Sequence, residues 1–95
     1  MKITADSLVV AAPGQLSANV GDEAVIAGMT RGNYYSLNSV AARVWELIQT
    51  SARIRDLRQT LAAEFDVTPE RCGADLLELL QRLHGEGLIE VTNAP

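Results

Sequence analysis

Ninety-five residues, 47% of them apolar, suffice for one hydrophobic core and are too few for two. A net charge of −4 argues against nucleic acid as the partner, because phosphate binding needs a basic surface. The single cysteine, Cys72, excludes a disulfide framework and a cysteine-built zinc site and fits a reducing compartment. Residues 1–20 lack a basic segment followed by an apolar core, so no signal peptide is expected. No window approaches the roughly 18 apolar residues of a membrane span. The expectation is one cytoplasmic domain over residues 1–95, with a loose tail at 92–95.

In chain order, strands come first. Ser7–Ala12 is short, apolar and β-branched in its middle, and Pro13-Gly14 stops it. Gln15–Asp22 is polar and reads as a loop. Glu23–Met29 is a second strand, residues 30–33 a turn, and Tyr34–Leu37 a third strand, the last two forming a hairpin. The period changes at Asn38, a strong N-cap. Val40, Ala41, Val44, Trp45, Leu47 and Ile48 then recur at helical spacing, and Thr50-Ser51 ends this helix. A second helix starts near Arg53, with Ile54, Leu57, Leu61 and Phe65 in one stripe. Thr68 caps a third helix, Pro69–His84, with Pro69 in its first turn. Its apolar face holds Cys72, Leu76, Leu79, Leu80 and Leu83, widened by Leu77. Gly85 and Gly87 stop it, and Leu88–Val91 is a short final strand. The fold class expected is α+β: a three-stranded antiparallel sheet followed by three helices, in an order like that of a winged helix-turn-helix.

The catalytic inventory is thin. His84, the lone histidine, sits where imidazole favours a helix C-terminus more often than it serves as a base. Cys72 lies twelve positions away, about 18 Å along a helix, so the two form no nucleophile–base pair there. Asp6-Ser7-Leu8 matches the phosphopantetheine attachment triplet of acyl carrier proteins, but it runs into a strand pattern instead of opening a helix. No phosphate loop, metal-ligand cluster or dinucleotide fingerprint occurs, so no enzyme activity, cofactor or metal is expected. Arg53, Arg55 and Arg58, with Asp56 and Glu64 nearby, read as a solvated helix face. The alternative of a winged-helix DNA-binding regulator places the third helix in the major groove. Glu70, Asp75, Glu78 and Glu86 against Arg71 and Arg82 oppose it.

Asn33–Leu37 carries neither charge nor proline, the usual protections of an edge strand. An open edge beside an apolar helix flank is the geometry of β-strand addition. The competing reading, in which Tyr34 and Tyr35 simply pack the sheet, stays open on these residues alone.

The run Gly32-Asn33-Tyr34-Tyr35-Ser36-Leu37-Asn38-Ser39-Val40-Ala41-Ala42-Arg43-Val44-Trp45-Glu46-Leu47 resembles the PqqD-like family. So do Leu61–Val67, Cys72 with Asp75, and Gly87-Leu88-Ile89, in the order found in its stand-alone members associated with lasso-peptide biosynthesis. The resemblance implies a non-catalytic leader-peptide recognition element, three antiparallel strands on three helices. It would hold the leader of a ribosomally made precursor as an added strand, between its third strand and third helix. Lasso leaders usually present Tyr-x-x-Pro followed by an aliphatic residue. The implied partners are that leader segment, a cysteine-protease-like leader peptidase and an ATP-dependent cyclase. Carried onto this chain, the peptide-binding residues are Asn33, Tyr34, Tyr35, Ser36 and Leu37 on the strand, and Asp75, Leu76, Leu79, Arg82 and Leu83 on the helix. The opposite helix flank, Leu77, Leu80 and His84, stays open.

Overall fold

The computed structural model describes residues 3–28 and 33–93. The elements are β1 (Leu8–Ala11), β2 (Gln15–Val20), β3 (Glu23–Gly28), β4 (Asn33–Leu37), α1 (Ser39–Leu47), β5 (Ala52–Arg53), α2 (Ile54–Phe65), α3 (Pro69–Gly85) and β6 (Ile89–Thr92). They form an α+β fold with two three-stranded antiparallel sheets, β2-β3-β4 and β5-β1-β6.

The meander differs in its membership from the sequence expectation. Gln15–Val20 is a strand where a loop was expected, and it pairs along its length with β3, from Gln15 opposite Gly28 to Val20 opposite Glu23. Leu16, Ala18 and Val20 alternate with Gln15, Ser17 and Asn19, the period of a strand. The turn is only Gly21-Asp22, and Gly21 takes φ 66°, a backbone region that costs glycine little. The first strand joins the other sheet, with Val9 opposite both Val91 and Ala52. The expected turn at residues 30–33 and the Met29 end of the second strand lie largely outside the described residues.

The small sheet closes the fold. Thr92, expected in a loose tail, pairs with Leu8, and the Ser7 hydroxyl donates to Asn93 Oδ1 at 2.5 Å. Ser7 is 0% exposed, so a role as a carrier serine is excluded. Its carbonyl, with that of Ala5, accepts the N–H groups of Ile54 and Arg55 at 3.1 and 3.0 Å. These are orphan donors of α2, whose N-cap residue Arg53 makes no side-chain cap. At the far end, Asp66 closes α2 in the left-handed region, which a short polar side chain tolerates.

The helices pack by their apolar stripes. Asn38 Oδ1 accepts the Ala41 N–H at 2.9 Å, and α1, packed on β3 and α2, buries Ala41, Val44 and Trp45, followed by its buried C-cap Ile48. Ile54, Leu57 and Leu61 of α2 meet Cys72, Leu76, Leu80 and Leu83 of α3. Arg43 ties the first two helices together on the surface, with Nε and Nη2 on the Glu64 carboxylate at 2.9 and 3.0 Å and Nη1 on Glu46 at 2.9 Å. After α3 the Leu88 N–H returns to the Leu83 carbonyl at 3.0 Å. Gly87, at φ 76°, makes that reversal and delivers Leu88 and Ile89 into the core.

Candidate peptide-binding edge and cleft

β4 is an outer strand of its sheet. Its inner edge pairs with β3, Ala24 opposite Leu37 and Ile26 opposite Tyr35, and among the described residues no strand pairs with the other edge. In an antiparallel pair, alternate residues direct both backbone polar groups away from the partner. β4 therefore offers a row of donors and acceptors to an added chain. Its side chains alternate too: Tyr35 and Leu37 turn inward, Leu37 into the core, while Tyr34 and Ser36 are exposed, Tyr34 at 78%.

β2 provides a second open edge, but residues 17–20 are exposed, so β2 stands apart from the core. β4 is different because the end of α3 bonds to it and the middle of α3 shares a cleft with the helix that β4 leads into. From the middle of β4 the Tyr35 hydroxyl donates to Glu86 Oε2, just past the end of α3, at 2.6 Å. Just past the end of β4, Val40 shares a cleft with Asp75, Leu76 and Leu79 of α3.

That cleft has a volume of about 90 Å³ and is also lined by Val44, Leu61, Phe65, Val67 and Cys72. Its walls are apolar except for Asp75 at the rim, whose carboxylate is exposed and stands 3.9 Å from Arg71. Val40 and Val67 are 37% and 40% exposed, large aliphatic side chains left partly in water at the mouth. Burial, and then the Asp75 charge, push the Cys72 thiol up, against a smaller opposite effect of Arg58. Cys72 is thereby held as a neutral thiol.

The residues singled out from the sequence distribute unevenly. Asp75, Leu76 and Leu79 line the cleft, Leu76 as its buried floor and Leu79 as a half-buried wall. Tyr34, Tyr35, Ser36 and the backbone of Asn33 form the edge. Arg82 is exposed and Leu83 is buried in the core, and neither lines the cleft. On the other flank Leu77 faces a separate groove with Ala5, Ile54, Arg55 and Arg58, and Leu80 is fully buried. Sequence reasoning missed Val40, Val44, Phe65, Val67 and Glu86. All but Glu86 stand in or beside the periodic stripes, so their signal merged with that of the core.

Among the described residues no group of three His, Cys, Asp or Glu side chains could hold a metal ion, and no helix is long and apolar enough to cross a membrane. The exposed side of α3 mixes Glu70, Asp75 and Glu78 with Arg71 and Arg82, a poor surface for phosphates.

Edge and cleft define a class of small α+β domain in which an open strand stands beside a helix across an apolar gap. The chain belongs to the PqqD family: the family model described as coenzyme PQQ synthesis protein D (PqqD) matches residues 23–89. Among solved structures, it is similar to TbiB1 in complex with the TbiA(beta) leader peptide, with a TM-score of 0.79 and 27% identity over 85% of this chain and 94% of that one. Among curated proteins, none matches the chain.

Proposed function

We propose that this domain binds the leader segment of a ribosomally made precursor peptide as a strand added to β4, with leader side chains entering the cleft between α1 and α3. The observation that carries the reading is the open β4 edge beside that cleft. Membership of the PqqD family, and the likeness to a protein solved with a leader peptide, support it. Backbone pairing on the edge would supply affinity, and the apolar walls would select the side chains that point inward. Tyr34, Tyr35 and Ser36 would meet the leader, with Leu79 and Val40 meeting its aliphatic side chain and Asp75 at the rim.

The domain is read as a non-catalytic cytoplasmic element of lasso-peptide biosynthesis. It would deliver the bound precursor to a cysteine-protease-like leader peptidase and then to an ATP-dependent cyclase. No residue of the cleft makes a nucleophile–base pair, and Cys72 is held as a thiol.

The test is a fluorescence-anisotropy titration with a labelled leader from a neighbouring precursor gene, run beside Ser36→Pro. Wild type binds, and the variant, with its circular dichroism unchanged, loses most affinity because proline removes a donor and disturbs the edge. Unchanged affinity in the folded variant would show that the leader uses another surface.

A further inference from the structure

The cleft draws its walls from different parts of the fold, Val40 and Val44 from α1 and Asp75, Leu76 and Leu79 from α3. β4 is held by β3 and leads directly into α1, whereas α3 packs on α2 and β6. Their spacing thus depends on the whole intervening core unless something joins them directly. The Tyr35–Glu86 hydrogen bond is such a link, between residues 51 apart in sequence.

Its geometry suits that task. Tyr35 lies on the inward row of β4, half-buried against the core, so its ring has little freedom to swing. Glu86 is the C-cap of α3, and its own N–H bonds to the Arg82 carbonyl at 3.1 Å, which anchors the carboxylate to the last turn. At 2.6 Å the O–H···O contact has the length of a charge-assisted bond, stronger than a neutral one. From Leu79 to Glu86 the helix rises roughly 10 Å, and from Tyr35 to Asn38 the strand covers about the same distance. The bond therefore lies roughly two helical turns from the cleft that Val40 lines together with Leu76 and Leu79.

We infer that the Tyr35–Glu86 bond is a strut that sets the width of the leader cleft, which makes Glu86 a positioning residue for peptide binding although it does not line the cleft. The inference rests on the proposed function. Without the strut the walls sample spacings in which an added strand cannot both pair with β4 and reach Leu79. The binding-competent fraction falls, and apparent affinity falls with it.

The experiment measures leader affinity for wild type, Tyr35→Phe, Glu86→Ala, Glu86→Gln and the Tyr35→Phe/Glu86→Ala double variant, each confirmed folded by circular dichroism and melting. Tyr35→Phe removes only the hydroxyl. Tyr35→Phe and Glu86→Ala each weaken binding by about tenfold, the scale of one lost charge-assisted bond. The double variant loses less than the sum of the two singles, because both remove the shared bond. Glu86→Gln, which keeps an acceptor oxygen, recovers most of the loss, which a general loss of stability would not predict. Wild-type affinity in Tyr35→Phe, additive losses in the double variant, or no recovery in Glu86→Gln would each overturn the strut while leaving leader binding intact. Absence of wild-type binding would instead overturn the functional reading, and the strut's role with it.

Discussion

Leu76 and Leu79 are one helical turn apart on α3 and both line the cleft, yet truncating them should act mainly on different quantities, stability for Leu76 and leader affinity for Leu79. Leu→Ala deletes three carbons, which at ~0.8 kcal/mol per buried group amounts to about 2.4 kcal/mol of transfer free energy. Leu76 is 3% exposed, so the whole amount, with a cavity contribution, falls on folding: about 2–5 kcal/mol. In a domain this small that lowers the melting temperature by more than ~10 °C. Leu79 is half-buried in the free protein. About half of the transfer term is then realised on folding, and the other half, ~1.2 kcal/mol, remains for an incoming leader side chain. Leu79→Ala should therefore weaken leader binding about five- to tenfold and lower the melting temperature by less than Leu76→Ala does. A leader titration at a temperature where both variants are folded, paired with thermal melts, measures the two effects. Unchanged affinity in Leu79→Ala, with wild type binding normally, would show that the leader does not enter between α1 and α3.

Two further outcomes follow from the titrating groups. The hydrogen bonds from Arg43 hold the Glu64 carboxyl below the usual glutamate range, against an opposing desolvation effect, and raise Arg43 in turn. A lowered carboxylate stabilises the fold above its unfolded pKa and loses that contribution as pH falls through the folded value. The stability difference between wild type and Glu64→Gln, from urea titrations, should be constant near neutrality and shrink in acid below the usual glutamate range. Because both side chains are about one-third exposed, the effect is small and screened by salt; a difference that grows in acid would refute the assignment. Cys72 should react far more slowly with a thiol reagent in the native protein than in urea, since it is 6% exposed and its thiol is pushed up. Bound leader should slow it further by covering the cleft mouth, and acceleration on leader binding would contradict that placement.

What could be read locally was written in short-range chemistry. Asn38, Thr68 and Pro69 mark the starts of α1 and α3 because a cap acts on N–H groups within its own first turn. The stripes of α2 and α3 follow from a period of 3.6 residues, and Asn33–Leu37 shows as an unprotected strand because charge and proline are missing from it. β2 escaped notice because Gln15, Ser17 and Asn19 make it read as polar, and residues 17–20 are exposed, so no strongly apolar face marks it as a strand. β5 is two residues long and exists only through its pairing with β1.

The sequence by itself thus determined the fold class, the capped helices and a candidate edge, and the pattern of residues 32–47 pointed to the family. Tertiary structure decided which strand completes each sheet, which flank of α3 meets α1, and where Glu86 reaches. Periodicity defines a helix's stripe but not the neighbour that each side of the stripe will face. That depends on placements such as Val40 and Leu79 lining one cleft and Tyr35 bonding to Glu86, which bring together residues far apart in the chain. The cleft exists only where those distant segments fail to close completely over one another, and no local rule records that remainder.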